Sequence, residues 1–159
     1  MLIEWIILSS ALLVTILLLI LFTPRDKIRE AHVIFMFKQV LTWLTGLLVV
    51  EFGLIEYPVR EFQIATATSF SFEYFIYPAV CIVFVLRFPE YKTVWHKIGW
   101  FALFPTVITL GEVLIERYTN LIKYINWTWY WTWLSLLLYD ILTFCYYLWF
   151  IKKGTGNHI

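Results

Sequence analysis

Hydrophobic residues along this chain fall into five long runs separated by short polar connectors. Runs of roughly 18 to 20 apolar residues match the hydrocarbon thickness of a bilayer when coiled as helices. The pattern predicts helices over about 2–22, 32–55, 65–88, 98–118 and 127–151. The first carries only Glu4 as a charge and has an uninterrupted apolar centre, "ALLVTILLLILF". A secretory signal peptide is the competing reading, but no basic leader precedes the run, it is too long, and no small-residue cleavage site follows; the segment is read as a retained helix. The connectors carry the breakers Pro24, Pro58 and Pro89 and most of the charge. Thr23, Pro24 and Asp26 together read as a helix start, with the Thr23 hydroxyl as N-cap and an acid near the positive end of the helix dipole. Pro78 and Pro105, inside the third and fourth runs, predict bends because each removes an intrahelical hydrogen bond. The C-terminal "GTGNHI" reads as a mobile tail.

Composition sharpens the class. Of 159 residues, 62% are hydrophobic, 21% aromatic and 14% charged, which is more apolar surface than a soluble domain of this length can hide. The expected architecture is therefore an all-α membrane protein, a single bundle of five transmembrane helices. Lys and Arg distribute unevenly over the two sides: Arg25, Lys27, Arg29, Arg87, Lys92, Lys97, Lys152 and Lys153 against Arg60, Arg117 and Lys123. That bias places the N-terminus outside and the C-terminus in the cytoplasm. The formal charge of +1 reflects this topology, and no basic, aromatic-interleaved patch points to nucleic acid. The connector "PEYKTVWHK" reads as an amphipathic contact with the lipid surface.

The run "NWTWYWTW" at 126–133 lies where the chain re-enters the bilayer from outside. On a helix its rings fan round the axis and suit an interfacial anchor; on a strand they would line one face as a stacking platform. Asn126-Trp127-Thr128 also matches the glycosylation acceptor pattern. Cys81 and Cys145 fall at similar depth and are read as two free thiols.

Candidate chemistry lies in acids within the apolar runs. Glu51, Glu73 and Glu112 fall in the outer half of the expected bilayer and Asp140 near its middle, where each charge costs several kcal/mol unless paired, hydrated or neutralised. Helical spacing gathers polar residues into stripes: Lys38, Thr42, Thr45, Gly46, Val49, Gly53 and Glu56; Thr66, Ser69, Glu73, Tyr77 and Cys81; Thr109, Glu112, Glu116 and Thr119; Thr132, Ser135, Tyr139 and Thr143 flanked by Asp140. Facing inward, they would form a polar interior, with the first helix peripheral. Lys38 is expected to pair with Asp140, and Arg117 to serve Glu112 or Glu56. Glu73 and Glu51 then lack a cation, so one carboxyl must be protonated or hold a cation. The candidate ligand- or ion-binding set is Glu73, Glu112, Glu51, Glu116, Tyr77, Asp140 and Lys38. The alternative is that Tyr77, Thr66 and Ser69 simply hydrogen-bond a neutral Glu73 between helices.

No phosphate loop, paired-His metal motif or nucleophile elbow is present in the sequence, and no cofactor or metal is expected. The segments "FEYFIYPAV" at 72–80 and "GEVLIERYTNLIKYINWTWYWTW" at 111–133 resemble a family of small five-helix integral membrane proteins of endospore-forming Firmicutes, with Tyr77, Pro78, Glu112, Glu116, Tyr124 and Trp127 carrying the likeness. The resemblance covers the second to fifth helices. It implies a bacterial plasma membrane and no particular activity. Three readings follow: a protein that binds or passes a small cation or proton, a structural subunit that docks a membrane partner or a second copy, and a lipid- or isoprenoid-modifying enzyme.

Overall fold

A buried short helix organises the molecule. In the computed structural model, which describes residues 2–155, the chain runs from α1 (Leu2–Phe22) through a 3₁₀ turn (Arg25–Lys27) into α2 (Ile28–Glu51). A strand, β1 (Ile55–Glu56), and an irregular connector lead to a π turn (Ser71–Ile76) that continues as α3 (Tyr77–Leu86). Then follow α4 (Val94–Tyr118), β2 (Lys123–Tyr124) and α5 (Trp129–Thr155). α1, α2 and α5 all pack on α3, while α4 packs on α5. Because α3 is enclosed, nearly every residue from Tyr77 to Val85 is buried, which is why "YPAVCIVFVL" is apolar all round.

This corrects the expected third helix over 65–88. Residues 65–69 are not helical. The helix begins at Ser71, whose N–H donates to Glu61 Oε1 at 3.0 Å. Its 6 π and 10 α residues extend about 24 Å at 1.5 Å per residue, short of the ~30 Å hydrocarbon core. Four helices are long and apolar enough to cross a membrane: Leu2–Phe22, Arg25–Glu51, Val94–Tyr118 and Trp129–Ile151. The expected second helix over 32–55 is shifted four residues towards the N-terminus, to Ile28–Glu51, and the fourth starts at Val94 rather than near 98. The expected helix start at Pro24 holds, since the 3₁₀ turn runs directly into α2, but Thr23 is not its cap: its hydroxyl makes no capping bond and Pro24 holds that position. Gly154 and Thr155 belong to α5, and 156–159 of the expected tail lie outside the described residues.

The connectors sort to two ends. At one end β1 pairs antiparallel with β2, Ile55 opposite Tyr124 and Glu56 opposite Lys123, and the Val59 N–H donates to the Asn120 carbonyl. Arg60 stiffens this end by donating to the Tyr57, Gln63 and Thr66 carbonyls. At the other end Arg87 Nε donates to the Phe22 carbonyl at 2.8 Å, and Tyr147 Oη donates to Glu30. The apolar core follows the same division. One cluster, including Leu8, Tyr57, Tyr77 and Leu121, lies under the strands; the other surrounds Phe84, whose ring meets Phe101, Phe104 and Phe144.

Candidate functional site

The site is built where α3 starts. In the π turn the Tyr77 N–H bonds to the Phe72 carbonyl, five residues back, so the Glu73 carbonyl loses its usual helical donor. One residue on, Pro78 has no N–H to give the Tyr74 carbonyl. α2 supplies both missing donors: Thr42 Oγ1 donates to the Glu73 carbonyl at 2.6 Å and Gln39 Nε2 to the Tyr74 carbonyl at 3.0 Å. Pulled together, the helices leave no room for a side chain at Gly46. A Cβ there would stand 2.8 Å from Glu73 Cγ and 3.0 Å from Thr68 Oγ1.

Two carboxyls face one small cavity above this clamp. Glu73 Oε1 accepts from Tyr57 Oη at 2.9 Å; among the described residues its second oxygen receives no hydrogen bond. Glu112 is dressed on both oxygens. Tyr124 Oη (2.6 Å) and Thr132 Oγ1 (3.0 Å) donate to Oε1, and Tyr77 Oη (2.8 Å) donates to Oε2. Thr132 in turn accepts from Trp127 Nε1 at 2.9 Å, which orients its single hydrogen towards Glu112. The cavity measures about 40 Å³ and is roofed by Ile55, Tyr57 and Trp127 from the paired connectors. That volume suits water-sized occupants.

The donors around the acids are uncharged hydroxyls. Burial holds the Tyr57 phenol well above its ordinary value, and the nearby Glu73 and Glu112 carboxyls push it the same way. Tyr124 is likewise raised, by burial and then by Glu112. Both phenols therefore remain proton donors at neutral pH. The nearest buried cation is already engaged: Lys38 Nζ, on a residue only 1% exposed, donates to Asp140 Oδ1 at 2.7 Å and lies 5.7 Å from the Tyr139 ring centre.

The structure thus brings Glu73, Tyr77 and Glu112 to one cavity and joins Lys38 to Asp140 as expected, but as a separate pair beside it. Glu51 is corrected: α2 ends there, and the side chain is exposed. Glu116, half-buried one turn beyond Glu112, does not line the cavity. Arg117 is exposed and hydroxyls, not Arg117, satisfy Glu112. Tyr77 bonds Glu112, not Glu73. Cys81 and Cys145 are free thiols, the first buried and the second exposed. Among the described residues no group of three or more His, Cys, Asp or Glu could hold a metal.

Sequence reasoning missed Tyr124, named only for the family likeness, and missed Tyr57 altogether. The signal was the alternation of Ile55, Tyr57 and Val59, buried, with Glu56 and Pro58, exposed, which is a strand pattern. The aromatic run also divides: Trp127 joins the site and Trp133 Nε1 donates to Thr106 Oγ1, whereas Trp129, Tyr130 and Trp131 are exposed. Four helices long and apolar enough to cross a membrane, around a buried acidic centre, fit the class of helical membrane proteins. No protein-family model, curated protein or solved structure matches the chain.

Proposed function

We propose that the protein is a five-pass membrane protein that binds a small cation, a proton included, at the cavity shared by Glu73 and Glu112. The observation that carries this reading is the unequal dressing of the two acids. Glu112 has three hydroxyl donors and is arranged as a fixed carboxylate, because an ionised carboxyl is acceptor-only. Glu73 has one donor, so its other oxygen is the position that takes the proton or cation. The cavity's size favours a water-sized occupant over a lipid or isoprenoid substrate. In this reading residues 65–88, which contain the π turn and α3, make the fifth crossing, since they lead from the strand end to the Phe22 end. The Lys and Arg bias then places the strand end outside and the C-terminus in the cytoplasm. A bacterial plasma membrane is the setting the sequence resemblance implies.

Reconstituted vesicles test the reading. Imposed gradients of protons, Na⁺ or K⁺ should drive flux through the parent protein, and Glu73→Gln should abolish it. Glu112→Gln should reduce it at least tenfold, since an amide replaces an acceptor with a donor facing three hydroxyls. Flux untouched by both substitutions would refute transport. Equilibrium cation binding equally untouched by both would refute the site.

A further inference from the structure

We infer that the cleft between α1 and α2 binds an anionic phospholipid, with an acyl chain in the cleft and the headgroup at Arg25. Consecutive in sequence, α1 and α2 each pack on α3 but make little direct contact with each other. Between them lies a groove of about 560 Å³, walled by Leu19 and Ile20, by Phe35 and Met36, and by Phe75 and Ile82 at its base. Arg25, Thr23 and His32 complete the lining.

Three observations select the occupant. From Arg25 to Met36 the groove extends about 16 Å at 1.5 Å per residue, about half of the ~30 Å hydrocarbon core and thus the depth of one leaflet. Its lining residues Ile20, Ile28 and Met36 are 70%, 48% and 58% exposed, so it opens sideways into the bilayer, the direction from which a lipid arrives. Its polar residues suit an anion. Arg25 is a permanent cation, and the Thr23 hydroxyl is buried without a hydrogen-bond partner among the described residues. His32 Nδ1 donates to the Ile28 carbonyl at 2.8 Å, which fixes the ring at the same groove. The acids of this connector are absent from the lining, and Glu30 is engaged by Tyr147. A phosphodiester at Arg25 would give Thr23 its missing acceptor.

Native mass spectrometry of the full chain, incubated with phosphatidylglycerol or phosphatidylcholine of identical acyl chains, tests this. One basic residue at an anionic headgroup corresponds to about fivefold preference, so phosphatidylglycerol should be retained about fivefold more than phosphatidylcholine. Arg25→Gln should erase that preference, whereas Lys123→Gln, the same charge change at the opposite end, should preserve it. Ile28→Trp, which narrows the groove from an exposed position, should lower retention of both lipids. Equal retention of the two lipids by the parent, or an undiminished preference in Arg25→Gln, would overturn the assignment. So would a lipid-free dimer cross-linked through cysteines placed at Ile20 and Met36, which would make a second copy the occupant.

Discussion

Thr42 is joined to Glu73 through the main-chain carbonyl rather than the carboxyl, at 2.6 Å. The carboxyl is thereby left to Tyr57 and the cavity, while the backbone that carries it is fixed to α2. The π turn makes this possible by releasing that carbonyl from the helix. π turns of this kind concentrate at functional sites, because the register change re-aims side chains without breaking the helix. Here it turns Glu73 towards Glu112 across the cavity.

Gly46 tests how tight that clamp is. An alanine Cβ would lie 2.8 Å from Glu73 Cγ, so either the acid or the helices must move. Gly46→Ala should destabilise the protein by about 1–3 kcal/mol, as overpacking does. A Cβ at Gly99, in α4, would meet nothing within 4 Å beyond its own helix backbone, so Gly99→Ala should gain up to about 1 kcal/mol from helix propensity. Thermal unfolding of both variants in one detergent checks the contrast; equal effects would mean that α2 and α3 are not in close contact at Gly46.

The Lys38–Asp140 pair behaves as a buried unit, with side chains 1% and 5% exposed. Removing one partner strands a charge in low dielectric, so Lys38→Met and Asp140→Leu should each cost about 3–5 kcal/mol. The double variant should recover most of that loss, since two apolar side chains need no partner. A double-mutant cycle by thermal unfolding supplies the coupling. Strictly additive losses would show that the 2.7 Å contact contributes nothing as a pair.

Alkaline pH acts on Tyr57 and Tyr124. Both have folded pKa values raised above the unfolded value of about 10. Above that pH the unfolded chain loses these protons while the folded chain keeps them, so the unfolded state binds fewer protons and stability falls with pH. Their contribution is fully present below about pH 10 and is lost as pH rises towards the folded values. Melting temperatures measured from about pH 9 to about pH 11 should fall less steeply for Tyr57→Phe than for the parent. Tyr91 is 99% exposed, and Tyr91→Phe, the same substitution outside the site, should leave the slope unchanged.

How much of this was legible in the sequence depends on which pattern carried the information. Three-and-four spacing on α2 located Lys38, Thr42 and Gly46 on one inward stripe, and estimated depth found Asp140 as the partner of Lys38. The same depth count misplaced Glu51, because it assumed a helix continuing to 55 where α2 ends at Glu51. The third helix was misjudged for a different reason. A helix enclosed on all sides has no polar face, so the apolar run from 65 to 88 gave no boundary. The hydroxyl-rich "TATSFS" before Phe72, whose side chains compete for backbone partners, was the available cue. Nothing in the sequence alone announces that Pro78 and a π turn release two adjacent carbonyls, since their donors come from α2 more than thirty residues earlier.

That last relationship is itself testable, because it makes Gln39 and Pro78 energetically dependent on each other. Gln39 satisfies the Tyr74 carbonyl that Pro78 cannot. In the parent, Gln39→Leu should cost about 1 kcal/mol, since it leaves a part-buried acceptor unpaired. Pro78→Ala restores an N–H that can bond the same carbonyl within the helix, and in that background Gln39→Leu should cost at least about 0.5 kcal/mol less. The coupling, read from unfolding of the four proteins, should therefore be favourable and specific: Gln39→Leu paired with Pro105→Ala, in α4, should be additive. If the Pro78 pair is additive as well, the Tyr74 carbonyl does not depend on Gln39, and α2 does not compensate the break at the start of α3.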